Sequence, residues 1–503
     1  MKNYQRLVLS VLSALFLFLS FRELGFFTWF SLIPLLFVIY KSNLKQTFTF
    51  SLICGIGFFA GVTYWMTVLP VKFTWILFVP LLSVIFLVYG TAIYYIYKKI
   101  NQPYIRMFLI PAVWIMVEFL RSQTLLAFTI GILGYTQHNF LPLMQITRFT
   151  GIYGVSFIVI LFNTAIFETI IFSIKNRKAI FKYLIISISV LLIFVIYGIV
   201  SVNNNLNRVI KNKGYGEIKL AVVQPNVLFG QKYSRKGIEV IPEPYSNYSY
   251  FKEGTELAVF PESMLWGLMD ESKDFKKWVK EILKKEDMYL LIGQYSHDEE
   301  FKEYYNSAFL YNSNLEVAGR YDEIHPVPFS QYMPYPKVLG FLKFLDFSIV
   351  NLIPGNDWSP IEYPGKGKLA INICYESTLP SIARNIRNNG AEAIFVLSDN
   401  SSLDGSIAPW NHLIFSKVRA IENGCYMVHC ANTGISAIIS PDGEMVVRSD
   451  LMSKTVLYGS IYLIPEKTFY SRFGDLLIFL YLGIVFSLTA ANLIVKRIKK
   501  INN

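Results

Sequence analysis

The chain has 503 residues, of which 53% are apolar and only 16% charged, with 41 Phe and 32 Tyr among them. Together with a mean hydropathy of +0.40, this composition argues against one large soluble fold and for a chain that lies largely in lipid. Lys and Arg number 47 against 35 Asp and Glu, a net charge of +12; beside long apolar segments that excess is read as a topology signal and not as a nucleic-acid footprint.

Apolar stretches at 4–20, 24–40, 50–69, 73–96, 104–120, 149–173 and 182–200 follow one another with short connections, and an eighth lies at 472–495. Most approach the roughly 20 residues that span a hydrocarbon core, the first two falling short. A cleaved signal peptide is the alternative for 4–20, but Phe21-Arg22-Glu23-Leu24 is a poor cleavage site and further spans follow. Lys2 and Arg6 precede the first stretch, Lys41 and Lys45 follow the second, and Lys98 and Lys99 follow the fourth. Lys175, Arg177, Lys178 and Lys182 join the sixth to the seventh, and Lys496, Arg497, Lys499 and Lys500 come near the end of the chain. Every other connection is therefore basic, which predicts eight spans with both termini cytoplasmic and the long segment before the last span on the opposite side.

That segment differs in texture. Residues 1–202 read as the membrane bundle with seven spans, 203–470 as an inserted domain, and 471–503 as the eighth span with a basic tail. Strands are expected at 217–224, 256–260, 289–294, 308–311, 369–374, 393–397, 426–431 and 435–440, and helices at 272–285, 379–388 and 408–423. The inserted segment is a layered α/β domain with room for antiparallel strands.

Cys374 ends the buried-strand pattern Leu369-Ala370-Ile371-Asn372-Ile373 and is followed by polar Tyr375-Glu376-Ser377. The carboxyl end of a strand is where an α/β domain presents a nucleophile, and a thiol becomes strongly nucleophilic when a base removes its proton. Glu262 ends the run Leu257-Ala258-Val259-Phe260-Pro261 and offers such a base. A buried structural cysteine and a turn carboxylate are the plainer readings of the same two residues. The four cysteines are too few for a disulfide-built fold and lack the spacing of a closed zinc site. Cys425 and Cys430, five apart on an apolar strand, point to opposite faces and are expected to pack unpaired.

Longer landmarks carry a resemblance. They are Phe260-Pro261-Glu262-Ser263, Arg320-Tyr321, Val327-Pro328-Phe329, Tyr332-Met333-Pro334, Ile373-Cys374-Tyr375-Glu376, Ser406-Ile407-Ala408-Pro409-Trp410-Asn411-His412, Arg419-Ala420-Ile421-Glu422-Asn423-Gly424 and Asn432-Thr433-Gly434-Ile435, with Val117-Glu118-Phe119-Leu120-Arg121 in the membrane part. In this order the chain resembles bacterial apolipoprotein N-acyltransferases, the membrane branch of the nitrilase or carbon-nitrogen hydrolase superfamily. The resemblance implies a polytopic α-helical membrane bundle with an inserted α/β nitrilase-like (αββα) domain on the extracytoplasmic side of a bacterial cell membrane. It also implies a Glu, a Lys and a Cys acting together. The glutamate takes the thiol proton, the cysteine forms a thioester with an acyl group from a phospholipid donor, and the lysine holds the oxyanion; the amine of a diacylated lipoprotein acceptor then takes the acyl group. The chemistry it implies needs no metal or cofactor, and its partners are the lipid bilayer, the donor and the acceptor, with no nucleic acid.

The lysine is where the pattern breaks. Matching from Arg320-Tyr321 to Val327-Pro328-Phe329 puts Glu323 at the lysine position, and there is no lysine between Lys302 and Lys337. The family's Gly-Glu-Tyr is Ser330-Gln331-Tyr332, its Asn-Asp-Ala-Trp-Phe-Gly is represented by 399–404, and an aromatic residue after the first domain strand is represented by Tyr233. Cys425 and His429 stand where arginine is common. An ionised Glu323 would repel both Glu262 and the oxyanion; a protonated Glu323 would donate a hydrogen bond, and His325 is the nearest other candidate cation. The expected catalytic set is Glu262, Glu323 and Cys374, supported by Tyr375, Glu376, Gln331 and Tyr233. The expected activity is N-acylation of lipoproteins. The alternatives are an amidase or acyltransferase with another acceptor, and a non-catalytic homologue that binds lipid or lipoprotein.

Overall fold

The computed structural model describes residues 1–69, 74–123, 126–173, 182–211, 216–232, 251–263, 273, 276–277, 279–280, 283, 288–298, 303–345 and 351–501. Seven helices among them are long and apolar enough to cross a bilayer: Asn3–Ser20, Leu44–Val62, Thr74–Lys99, Pro103–Arg121, Ile152–Ser173, Lys182–Lys211 and Leu476–Ile501. The chain is a polytopic membrane protein.

The stretch expected as a second span, 24–40, is not one helix. It is a 3-10 segment, Gly25–Trp29, followed by an eight-residue helix, Ile33–Tyr40. In lipid a break in a helix persists only if the freed backbone groups find partners. Asn163, on the helix Ile152–Ser173, supplies them: its Nδ2 donates to Thr28 O at 2.9 Å, and its Oδ1 accepts from Leu32 N–H at 2.9 Å. Pro34 in the first turn of the second piece has no N–H to satisfy. The expected boundary between residues 202 and 203 lies inside the helix Lys182–Lys211, and the first domain strand begins at Glu217.

Because successive helices run antiparallel, Lys41, Lys45, Lys98 and Lys99 gather at one end of the bundle. There Arg6 Nη2 donates to Lys41 O at 2.9 Å, and the Arg106 guanidinium pairs with Glu168, Nε to Oε1 at 2.7 Å. The inserted domain rests on the other end. Tyr375 Oη donates to Ala127 O at 2.6 Å, Arg419 Nη2 to Tyr135 Oη at 3.0 Å, Arg148 Nη2 to Asp442 Oδ1 at 3.0 Å, and Trp410 Nε1 to Glu23.

The domain holds two six-stranded sheets. In the first the order is β12-β1-β2-β3-β4-β5, with β1 (Glu217–Gln224), β2 (Leu257–Val259) and β3 (Tyr289–Asp298) parallel. Its remaining strands, β4 (Glu303–Tyr311), β5 (Val317–Asp322) and β12 (Thr455–Tyr462), are antiparallel to their neighbours. In the second the order is β11-β10-β9-β8-β7-β6, with β7 (Gly367–Ile373), β8 (Ala393–Ser398) and β9 (Met427–Ala431) parallel, flanked by β6 (Ile361–Tyr363), β10 (Ala437–Ile439) and β11 (Met445–Arg448).

The period-2 alternation of the central strands builds the layers. Leu220 and Val222 of β1 face Leu369, Ile371 and Leu397 in the core between the sheets, while Ala221 and Val223 face outward with Phe260, Val279 and Leu283. The second sheet is covered by the helices Pro380–Asn388 and Ala408–Asn423. The latter is apolar on opposite sides and buried almost throughout: Leu413 and Ala420 join the domain core, and Ile414, Phe415, Val418 and Ile421 join the core of the bundle. One helix thus cements the domain to the membrane part. The expected helix at 272–285 falls mostly outside the described residues.

Candidate active site

Parallel strands in an α/β sheet open their carboxyl ends at one edge, and the polar residues that follow β2, β7 and β8 meet there. Glu262 follows β2, Cys374 follows β7 and Asp399 follows β8. Glu323 comes from the end of β5, on the same sheet as β2. The turns are tight enough to force left-handed backbone on residues with side chains: φ is +48° at Ser263 and +46° at Cys374. Such conformations are costly and survive only where surrounding contacts impose them. A glycine makes room for the first turn, since a Cβ on Gly293 would stand 2.6 Å from Glu262 Cα.

Glu262 is 6% exposed and held on both oxygens, by Asn306 Nδ2 to Oε1 at 2.8 Å and by Asp399 N–H to Oε2 at 2.8 Å. Glu262 and the same Asp399 N–H are the nearest polar groups acting on the Cys374 thiol. Burial, then the charge and hydrogen bond of Glu262, push the thiol well above its ordinary range. A thiol in that state needs a base to react, and the neighbouring Glu262 can serve as one.

Glu323 is 1% exposed. Asn306 Nδ2, the atom that holds Glu262, also donates to Glu323 Oε2 at 3.0 Å, and Gln331 Nε2 donates to the same oxygen at 3.0 Å. Oε1 has no hydrogen-bond partner among the described residues. Burial raises its pKa well above the carboxylate range, and the neighbouring Glu376 and Glu262 raise it further. The groups acting on Glu323 most strongly include no cation.

Glu376 is also fully buried, and burial pushes its carboxyl up to about 7. Its oxygens, however, accept from Ile324 N–H at 2.7 Å, Ile373 N–H at 2.7 Å, His325 N–H at 3.2 Å and Tyr321 Oη at 2.9 Å. With so many donors Glu376 is the better anion of the pair, and Glu323 is the one that keeps its proton. Glu376 ties the loop after Glu323 to the turn that carries Cys374. Gln331 faces Glu323 with its amide nitrogen and accepts from Val327 N–H with its oxygen. Tyr375 reaches the bundle through Ala127, and the His325 ring lies 6.2 Å from its ring. Tyr233 lies outside the described residues. All four cysteines are free thiols.

The structure therefore brings Glu262, Glu323, Cys374, Glu376 and Gln331 into one polar cluster at the edge of the two sheets, above the end of the membrane bundle. Asn306, which joins the two carboxyls, is absent from the sequence reading. Its only signal is an amide on the face of β4 that carries the core residues Ala308 and Leu310.

Comparison with known proteins accords with this architecture. Residues 217–463 match the carbon-nitrogen hydrolase family, and residues 13–165 match the apolipoprotein N-acyltransferase N-terminal domain. The apolipoprotein N-acyltransferase of Rickettsia typhi is 30% identical over 88% of this chain and 89% of its own. The chain belongs to the apolipoprotein N-acyltransferase family. The Geobacter metallireducens member is 29% identical over 93% of this chain and 91% of its own. Among solved structures, a carbon-nitrogen hydrolase from Helicobacter pylori G27 is 20% identical with a TM-score of 0.38, over 50% of this chain and 90% of that one.

Proposed function

We propose that this chain transfers an acyl group from a phospholipid to the terminal amine of a diacylated lipoprotein through a thioester on Cys374. The Glu262 carboxyl beside the Cys374 thiol, held on its two oxygens by Asn306 Nδ2 and the Asp399 N–H, carries the reading. Glu262 takes the thiol proton as sulfur attacks the ester carbonyl. The tetrahedral adduct collapses with cleavage of the C–O bond, and Glu262 returns the proton to the departing alkoxide, releasing lysophospholipid. The acceptor amine attacks the thioester, Glu262 takes the amine proton, and as the C–S bond breaks and the amide forms Glu262 returns that proton to the departing sulfur, regenerating the thiol and the carboxylate. Charge on each tetrahedral adduct is met by the Glu323 O–H and by the Tyr375 N–H. The latter lies near the start of the 3-10 turn Cys374–Thr378, where backbone donors have no carbonyl one turn behind them. Every proton is accounted for by side chains of this chain.

The test is product mass. With a phospholipid and a synthetic diacylated lipopeptide, the expected products are lysophospholipid and a lipopeptide heavier by one acyl group. Free fatty acid in place of the acylated peptide would identify a hydrolase. Glu323 and Gln331 favour a second reading, a lipid- or lipoprotein-binding homologue, for which neither product forms.

The same proposal sets the orientation. The basic connections at 41–45 and 98–99 lie at the cytoplasmic end and the domain outside, because positive loops are retained inside. A single cysteine introduced at exposed Val338, 71% accessible, should react with a membrane-impermeant maleimide applied to cells or spheroplasts. Labelling only after lysis of the membrane would reverse the orientation.

A further inference from the structure

Behind the nucleophile lies a histidine that the acyl-transfer steps do not use. His412 sits in the first turns of the helix Ala408–Asn423 and is 7% exposed. Its Nε2 is 2.9 Å from Cys374 O and 2.8 Å from Ser377 Oγ, whose hydroxyl also donates to Cys374 O at 3.0 Å. Its Nδ1 is 3.4 Å from Asn400 Nδ2. A carbonyl oxygen only accepts and an amide nitrogen only donates, so this network assigns the proton to Nε2 and leaves Nδ1 as the acceptor. Burial holds the imidazole's pKa down to about 4, so it is neutral near pH 7.

Both contacts fall on the reacting geometry. Cys374 carries the left-handed φ of +46° that turns its side chain out of the strand. Asn400 is the neighbour of Asp399, whose N–H holds the Glu262 carboxylate and meets the thiol. One imidazole therefore spans the turn after β7 and the turn after β8. The Cys374–Tyr375 peptide is trans, so donors fixing the Cys374 carbonyl direct the Tyr375 N–H the opposite way. We propose that His412 is a positioning residue: by clamping Cys374 O and the Asn400 side chain it sets the distance between the Cys374 thiol and its base and aims the Tyr375 N–H.

Thiol alkylation reads this geometry with neither acyl donor nor acceptor, so the test stands apart from the proposed reaction. Cys54, Cys425 and Cys430 are fully buried while Cys374 is half-buried, so iodoacetamide on the full-length protein in detergent should modify Cys374 first, followed by mass spectrometry of its peptide. His412→Asn keeps an amide near the Nδ1 position but stops short of Cys374 O; His412→Gln places an N–H donor near Nε2. Glu262→Gln should slow alkylation about ten-fold or more, and His412→Asn should slow it similarly, about the effect of one lost hydrogen bond. The double variant should be no slower than Glu262→Gln alone, because both changes remove the same coupling. His412→Gln should recover most of the wild-type rate. The proposal is overturned if His412→Asn reacts at the wild-type rate, if His412→Gln is as slow as His412→Asn, or if the two slowdowns multiply. It is also overturned if His412→Asn lets Cys430 react, since the histidine would then hold the domain together and not the turn.

Discussion

Glu323→Gln is expected to keep most of the acyl transfer seen at neutral pH and to remove its decline at alkaline pH. Glu323 is buried, faces Glu376 and Glu262, and has Asn306 and Gln331 on a single oxygen, so its pKa is raised. A raised carboxyl is protonated below its folded-state pKa. The donor is therefore present at low and neutral pH and is lost as pH rises through that value, when a repelling carboxylate takes its place. Stability has the same sign: the contribution of the neutral buried acid is complete below the ordinary carboxyl pKa and is lost as pH rises through the folded value. Glutamine donates without ionising, so both alkaline losses should flatten. Glu323→Leu removes the donor and should lower turnover by about 10²-fold, as loss of one oxyanion donor does. Glu323→Lys supplies the cation expected in the family, and Asn306 Oδ1, without a partner among the described residues, offers it an acceptor. A pH series of initial rates for wild type and the three variants is the check. A wild-type rate that stays level into the alkaline range, with Glu323→Gln inactive, would remove Glu323 from the role of acid.

Cys374→Ala is expected to abolish turnover, and Glu262→Gln to lower it by about 10²- to 10⁴-fold, the usual weight of a general base. The two differ in what they leave behind. Cys374→Ala forms no covalent adduct at any time, whereas Glu262→Gln acylates slowly, because the residual thiolate still attacks. Burst kinetics with a phospholipid of labelled acyl chain would separate them. A binding homologue predicts the reverse pattern, with ligand capture and cellular activity nearly unchanged in Cys374→Ala.

The proposed nucleophile and base could be picked out because β2 and β7 are largely apolar runs followed by polar residues, and the ends of such strands converge by topology alone. β5, β11 and β12 could not. Their residues alternate between partial burial and exposure or pair along a sheet edge, so no apolar run announces them. The break at 24–40 was hidden for a different reason: its cause, Asn163, is 131 residues from Leu32 in sequence, and hydropathy does not register a side chain that satisfies another helix's backbone. The helix Lys182–Lys211 runs past the expected boundary at 202/203, since a helix leaving the membrane continues on its own backbone bonds after its apolar surface ends. Glu323 stands out in the sequence where the resemblance leads one to expect a lysine, but its state does not. That required the positions of Glu262, Glu376, Asn306 and Gln331, drawn from four other segments.

In the proposed reaction Cys374 carries the acyl group between donor and acceptor. The direct measurement is the mass of the Cys374 peptide after incubation with phospholipid alone, followed by a chase with the diacylated lipopeptide. The expected result is an added acyl group on that peptide, removable by hydroxylamine, that disappears in the chase as the acylated lipopeptide forms. An acylated lipopeptide with no adduct ever on Cys374, or an adduct that the acceptor leaves untouched, would contradict it.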